Sequence, residues 1–167
     1  GVKSPLSTNK DFIMANFSTD ADLTFYQPDI LEFGIASFTS PNDYHAQARD
    51  DIERELRNKW WGIYQNNSTR DITTLGSIEM DGSLLTDAQW KRCSVFRVIG
   101  FYATPQLTKF NSDDNKDRFQ VMLDYYQKAY YAEFSEVLRD GVEYDDNNDS
   151  VISNAEKEPY ERLRLIR

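Results

Sequence analysis

The sequence of 167 residues predicts a mainly all-α protein, a small helical bundle with one long helix near its C-terminal end. Two segments repeat apolar residues every three or four positions, as on one face of a helix, and a third is apolar nearly all round. Capping residues precede these segments, and Gly or Pro follows them. The predicted exceptions to helix are a short β-hairpin at about residues 70–85 and an extended C-terminal arm.

The first third of the chain predicts two short helices and one surface helix. Ser18 and Pro28 bound the first helix, and the second runs from about Asp29 to Ser37. The surface helix runs from Pro41 to about Trp61 and is apolar on one stripe. Its acid–base pairs four residues apart contribute roughly 0.2–0.5 kcal/mol each. This charged run is either a solvated face or a subunit interface with matching charges.

Residues 62–85 are rich in Asn, Ser, Thr and Gly, and they predict the hairpin. Asp81-Gly82 is a typical hairpin turn, and four apolar residues are expected to place one side of the hairpin on the helices. These four residues are Ile72, Leu75, Ile78 and Met80.

A capping-box pattern of Thr86 and Gln89 opens the next predicted helix, from Asp87 to about Ala103. This segment is apolar on nearly every side, which predicts a central, buried helix. Cys93 is accordingly predicted to be a small core residue, and Pro105 to stop the helix.

The longest predicted helix runs from about Ser112 to Asp140, and Gly141 is expected to end it. Its apolar stripe extends from Phe119 to Leu138. Tyr125 and Tyr131 lie off this stripe, so they are expected either to reach the surface or to meet a partner.

Composition argues against several classes of function. The net charge is −9, and an acidic surface is a poor partner for nucleic-acid phosphates, which bind clustered Lys and Arg. Cys93 is the single cysteine, so neither an intramolecular disulfide nor a thiolate metal site is expected. A reducing, intracellular origin is the simpler interpretation. No apolar run approaches the roughly 20 residues of a membrane span, and no signal peptide is visible.

The predicted organisation has four parts. Residues 1–16 are expected to be an N-terminal extension, disordered or added to the natural protein, because Gly1 is not an initiator and Met14 begins a plausible natural start. Residues 17–141 form the helical domain, residues 142–158 an acidic loop, and residues 159–167 the arm.

The acidic loop has the ligand spacing of an EF-hand calcium site. With Asp145 as position 1, oxygen donors recur at positions 1, 3, 5, 7, 9 and 12, where position 7 offers a backbone carbonyl and position 12 a bidentate carboxylate. Position 8 is Ile152, an apolar anchor. The predicted metal ligands are Asp145, Asn147, Asp149, Val151, Ser153 and Glu156.

Two features of this loop depart from an EF-hand. Position 6 needs a positive φ and is usually Gly, but it is Ser150 here. Pro159 follows Glu156 too closely for an exit helix, and the sequence has no second hand. The loop is therefore interpreted as a solitary calcium loop that fixes a bend. The alternative is a solvated acidic loop without metal.

The final segment is basic on an acidic protein and apolar at alternate positions. It is predicted to bind another chain by strand addition or by insertion into a groove. A frayed terminus is the alternative. The residues predicted to bind the partner are Arg162, Leu163, Arg164, Leu165, Ile166 and Arg167.

No catalytic site is predicted, and the chain is not interpreted as an enzyme. The single histidine, His45, is expected on an exposed helix surface. No nucleophile motif, phosphate-binding glycine loop or hydrolase metal signature is found. The carboxylates are scattered, so no acid–base pair stands out. An uncharacterised enzyme is kept as a third hypothesis beside the two that follow.

Five runs of the sequence together resemble a known protein family. They are Asp51 to Arg57 (DIERELR), Trp90 to Leu107 (WKRCSVFRVIGFYATPQL), Asp117 to Phe119 (DRF), Asp124 to Glu133 (DYYQKAYYAE) and Gly141 to Asp145 (GVEYD). Together they resemble the head-to-tail connector (adaptor) proteins of tailed bacteriophages, over about Phe17 to Arg167.

The resemblance implies a structural virion protein of the neck. Such adaptors are small helical bundles that form a ring, commonly of twelve copies, beneath the portal protein. The ring extends the DNA channel toward the tail, a tail terminator or the next neck protein, and DNA passes through without specific binding. The arm would engage the portal. The implied location is the head–tail junction of the virion, after synthesis in the bacterial host cytoplasm. The alternative function is a calcium-binding interaction module with a single EF-hand-like loop.

Overall fold

The computed structural model describes residues 15–67, 79–108 and 117–157, and this part of the chain is an all-α helical bundle, as predicted. Two wider π-helical segments, Arg57–Trp61 and Val98–Ala103, continue helices without a break. Short 3-10 turns occur at Ile30–Glu32, Gly82–Leu84 and Asn154–Lys157. The helices are α1 (Asp20–Tyr26), α2 (Tyr44–Leu56), α3 (Gly62–Asn67), α4 (Asp87–Arg97), α5 (Thr104–Leu107) and α6 (Arg118–Asp140).

Helices α4 and α6 pack against each other and join two apolar core clusters. One cluster lies toward the C-terminal end of α6 and includes Trp90, Cys93 and Phe134. The other lies nearer the middle of α6 and includes Leu23 and Ile99. The prediction of a central α4 with Cys93 in the core is therefore confirmed, and burial raises the pKa of the Cys93 thiol.

Helix α2 buries charged side chains as well as apolar ones. Arg49 and Glu53 are both buried, and Arg49 Nε donates to Glu53 Oε1 at 3.0 Å. The same guanidinium donates to the Gly82 carbonyl at 2.8 Å and pairs with Asp87 at 3.1 Å. The interpretation of a fully solvated charged face is therefore wrong. These charges are tolerated inside because each meets an opposite charge and hydrogen bonds.

The first predicted helices are shorter in the structure. Helix α2 begins after Asp43, whose carboxylate accepts from the Ala46 N–H at 3.0 Å, and not at Ser40. Between residues 29 and 37 only the turn Ile30–Glu32 is helical. Gly34, at φ +121°, takes a backbone conformation that no helix contains and ends that stretch.

Pro105 does not end the central helix, which continues to Leu107. Because Pro has no N–H, the carbonyl of Gly100, five residues earlier in the π-helical segment, lacks its backbone donor. Two side chains replace that donor: Gln127 Nε2 of α6 at 3.2 Å and Thr104 Oγ1 at 3.4 Å. The local sequence does not reveal this compensation.

Helix α6 begins after Asp117, which accepts from the Gln120 N–H at 2.7 Å. The predicted start at about Ser112 lies outside the described residues. Its predicted end is confirmed, since Gly141 follows the helix with φ +99°.

The predicted hairpin is not formed in the half that the structure describes. The Asp81 carboxylate accepts from the Ser83 N–H at 2.9 Å and caps the turn Gly82–Leu84. Leu85 then makes a single antiparallel bridge to distant Tyr144, and not to a neighbouring strand. Met80 is buried, as expected, whereas residues 72–78 lie outside the described part.

The predicted N-terminal extension and arm fall largely outside the described residues, which begin at Ala15 and end at Lys157. Phe17, the first residue of the predicted helical domain, is buried, and Asn16 of the predicted extension donates to Asp43. No helix in the described ranges is long and apolar enough to cross a membrane.

Candidate functional site

The acidic loop, Asp145 to Glu156, follows α6 closely and is tied to α4. Gln89 of α4 donates from Nε2 to the Gly141 carbonyl and accepts from the Glu143 N–H, both at 2.8 Å. Gln89 therefore positions the start of the loop. It does not form the predicted capping box, and Thr86 makes no side-chain cap.

Tyr144 anchors the loop in a cluster of aromatic rings. Its ring centroid lies 5.7 Å from that of Trp60 and 5.2 Å from that of Trp61. Its hydroxyl accepts from the Asp81 N–H at 3.1 Å. Because Tyr144 directly precedes Asp145, a change in the loop is coupled to the environment of both tryptophans.

The first three predicted ligands fold back onto the loop's own backbone. Asp145 accepts from the N–H groups of Asp149 at 3.1 Å and Ser150 at 2.8 Å. Asn147 Oδ1 accepts from the Asp149 N–H at 3.1 Å, and Asp149 Oδ1 accepts from the Val151 N–H at 2.9 Å. The side-chain oxygens at positions 1, 3 and 5 therefore share one tight turn.

Glu156 closes the loop. Its Oε1 accepts from the Asn147 N–H at 3.3 Å, and its Oε2 accepts from the Ser153 N–H at 2.9 Å and the Ser153 hydroxyl at 2.7 Å. The hydrogen bonds from Ser153, and then the one from Asn147, hold the pKa of the Glu156 carboxyl below its usual range. The ionised Glu156 side chain, at position 12, therefore accepts hydrogen bonds from position 3 (Asn147) and position 9 (Ser153).

Ser150 takes the conformation that position 6 of an EF-hand needs. Its φ is +66°, and Asn148 at position 4 has φ +55°. Serine in this left-handed region costs on the order of 1 kcal/mol. The hydrogen bond from the Ser150 N–H to Asp145 offsets part of that cost, so the turn forms without glycine.

The donor chemistry of the loop fits Ca²⁺, which takes carboxylate, amide, hydroxyl and carbonyl oxygens. The arrangement is only partly assembled. Among the described residues, no three His, Cys, Asp or Glu side chains come together as ligands for one metal ion. Both Glu156 oxygens already accept hydrogen bonds, so a cation would have to take them from Asn147 and Ser153.

Exposed apolar side chains occupy two faces of α6. Val121 is 56% exposed and Tyr125 is 65% exposed, and the ring of Phe25 of α1, which is 79% exposed, packs edge-on against Tyr26, a residue that lines the same groove as Tyr125. We call Phe25, Val121 and Tyr125 patch A.

The second face holds Tyr131, which is 49% exposed. It lies six residues beyond Tyr125, about 120° further round the helix at 3.6 residues per turn. Its ring meets Phe101 edge-on, with centroids 6.0 Å apart. We call Tyr131 and Phe101 patch B. Both off-stripe tyrosines therefore reach the surface, one of the two outcomes expected for them.

His45 is fully buried, so the prediction of an exposed histidine is wrong. Its Nδ1 hydrogen-bonds with Ser18 Oγ at 2.7 Å, and its Nε2 pairs with Asp20 Oδ1 at 2.9 Å. Ser18 Oγ also lies 2.7 Å from Ser94 Oγ. This set has the composition of a hydrolase triad, but its serine and histidine are sealed in the interior. It ties the segment before α1 to α2 and α4. No sequence motif marks it.

The predicted partner-binding residues, Arg162 to Arg167, lie outside the described residues. Comparisons with protein-family models, with curated proteins and with solved structures gave no match to this chain.

Proposed function

We propose that this chain is a structural protein of the bacteriophage neck, which forms a ring between the portal protein and the tail or the next neck protein. The observation that carries the proposal is the pair of apolar patches on α6. A ring is built from head-to-tail contacts, in which each subunit uses two different surfaces. Patches A and B point in different directions from one helix, as such contacts require.

The resemblance to connector proteins supplies the rest of the proposal. It suggests a ring of twelve copies at the head–tail junction, with residues 162–167 engaging the portal in the assembled neck. The charge of −9 per chain fits a channel that DNA crosses without specific binding, because an acidic wall repels phosphates.

Ring assembly is tested by light scattering on the purified protein and two patch variants. The wild type should form a species of about twelve 19.5-kDa subunits. Val121→Lys in patch A and Tyr131→Lys in patch B should each block closure, because a lysine would be buried without a partner. Ser135→Lys, at another exposed position of α6, is the matched control and should assemble.

Mixing the two patch variants gives a sharper test of head-to-tail assembly. The Val121→Lys protein keeps patch B, and the Tyr131→Lys protein keeps patch A. The mixture should therefore contain dimers with one intact contact, while each variant alone stays monomeric. A wild type that is monomeric at every concentration, alone and with the portal protein, would refute the ring.

A second proposal is that the loop binds Ca²⁺. The positive φ of Ser150 and Asn148 favours it, since these are the loop positions where the backbone must curl. Asp145, Asn147, Asp149, the Val151 carbonyl, Ser153 and Glu156 would hold the ion. Bound Ca²⁺ would neutralise the crowded carboxylates and fix the bend beyond α6.

Calorimetric titration with CaCl₂ tests the metal proposal. The wild type should release or absorb heat with one site per chain, and Glu156→Gln should lose most of the affinity because the closing carboxylate is gone. Asp140→Asn, which removes an exposed charge just outside the loop, should titrate like the wild type. No heat from the wild type, either free or in the assembled ring, would remove the calcium proposal.

A further inference from the structure

A groove beside patch A has no occupant among the described residues. It lies where the end of α1 meets α4 and α6, and it encloses ≈ 400 Å³. Aromatic side chains form its walls: Tyr26, Phe96, Tyr125 and Tyr126. Ala129 and Ala132 line it along α6 and leave room between those rings.

One end of the groove is acidic. Glu133 and Glu136 line it there, one turn apart on α6. Arg92 of α4 lies 3.8 Å from Glu133 and donates to the Tyr26 hydroxyl at 3.3 Å. Glu136 Oε1 accepts from Arg139 at 2.8 Å, so a basic segment would share the two carboxylates with Arg92 and Arg139. The groove combines apolar walls with carboxylates at one end, which suits a segment that carries both apolar and basic side chains.

Residues 162–167 have that composition. Leu163, Leu165 and Ile166 alternate in part with three arginines, and the segment contains no acid. The other 161 residues therefore carry −9 − 3 = −12, so the segment is attracted to the rest of its own chain. Arginine also stacks on aromatic rings elsewhere in this protein: Arg97 lies 3.9 Å from the Phe101 ring and Arg118 lies 4.5 Å from that of Phe33.

The described chain ends close enough for the segment to reach the groove. Lys157 lies against Gly141 at the end of α6, and its Nζ pairs with Glu143 at 2.8 Å. At 1.5 Å per residue, Glu136 and Tyr125 lie about 7 and about 24 Å back along α6. The ten residues from 158 to 167 span up to roughly 33 Å when extended.

Tethering favours the chain's own segment over that of another copy. A short linker gives an effective concentration in the millimolar range, about a thousandfold above a micromolar protein sample. We propose that the groove between α1, α4 and α6 binds residues 162–167 of the same chain, with the leucines between the aromatic walls and the arginines toward Glu133 and Glu136.

This docking goes beyond the proposed neck function and does not depend on it. It covers the Tyr125 edge of patch A in the free subunit. During ring assembly a neighbouring subunit would compete with the segment for this edge, and the segment would leave its groove as patch A becomes covered by the neighbour.

Disulfide trapping tests the docking on the full chain. Ala132→Cys places a thiol in the groove, and Leu165→Cys places one in the segment; the native Cys93 is buried. At about 1 µM protein, this pair should form an intramolecular disulfide about tenfold faster than the matched pair Asn58→Cys with Leu165→Cys, because Asn58 is exposed on another helical segment. Adding Glu133→Gln and Glu136→Gln should slow the groove pair severalfold. Far-UV circular dichroism checks that each variant is folded.

Each outcome of the trapping experiment either supports or overturns the docking of residues 162–167. Fast intramolecular bridging at Ala132→Cys, slowed by the two glutamine substitutions, supports the proposal. Disulfide-linked dimers in place of the intramolecular product would show that a second copy fills the groove, and equal rates at both sites would show that nothing docks there. Either of these two results overturns the proposal.

Discussion

At the scale of single residues, the interior of the described domain holds polar side chains beside apolar ones. Trp90, Cys93 and Met80 lie inside, as their patterns indicated. Arg49 and His45 are also buried, although both belong to a segment whose sequence predicts a charged surface helix. Glu53, the buried partner of Arg49, is four residues away, but Asp20 and the Gly82 carbonyl, which pair with His45 and Arg49, lie more than 20 residues away, so local spacing gives no sign that the two side chains are buried.

Arg49 should be the most sensitive charged residue of α2. Arg49→Met leaves the buried Glu53 carboxylate with only the half-exposed Arg57, 3.6 Å away, as its ionic partner and should lower the free energy of unfolding by about 3 kcal/mol. Arg54→Met, at an exposed position of the same helix, should change it by less than about 0.5 kcal/mol. Urea unfolding followed by circular dichroism measures both. Similar small effects at the two positions would contradict the buried network.

Tyr102 should make the protein less stable in alkali. Its hydroxyl donates to Asp51, and burial together with that hydrogen bond raises the pKa of Tyr102 to about 12. Burial raises the pKa of Tyr130 as well. Unfolded tyrosines ionise near pH 10, so above about pH 10 the unfolded state loses protons that the folded state keeps. Stability is therefore full below about pH 10 and falls as the pH rises toward 12.

Urea unfolding at several pH values between about 9 and 11.5 checks this dependence. The free energy of unfolding should decline across that range, and Tyr102→Phe should decline less steeply. Parallel slopes for the two proteins would show that Tyr102 does not carry the effect.

At the scale of elements, the existence of the helices was predicted well and their ends less well. Asp117 caps α6 and Gly141 ends it, which are local signals. By contrast, the helix that begins as α4 continues through the π-helical segment into α5, past Pro105, because Gln127 of α6 donates to the Gly100 carbonyl that lacks a backbone donor. Helix ends that depend on tertiary contacts cannot be predicted from the neighbouring sequence.

The turn at Ser150 offers a test at this scale. Ser150→Gly should raise the free energy of unfolding by about 0.5–1 kcal/mol, because glycine takes φ +66° without strain. Ser150→Ala removes the hydroxyl but keeps the strained φ, so it should give no gain. The two variants are compared by urea unfolding. An equal gain from alanine would mean that the hydroxyl, and not the backbone conformation, limits stability.

At the scale of the whole molecule, the sequence predicted the helical fold class. The spacing from Asp145 to Glu156 predicts which oxygens would hold a metal ion, and that stays a prediction. It did not indicate that Gln89 and Tyr144 would fasten the loop to the core, since both act across more than 50 residues. The patches and the groove likewise arise only when α1, α4 and α6 come together. Within residues 79–85 the predicted hairpin is not formed, because Leu85 pairs with Tyr144.

The most direct test of the neck assignment is immunogold electron microscopy on intact virions from the source system, with an antibody against this chain. Label is expected at the junction of head and tail. Mass spectrometry of the same particles should find the chain. Virions that lack the chain, or that carry label elsewhere, would contradict the assignment and leave the calcium-binding module as the proposal to pursue.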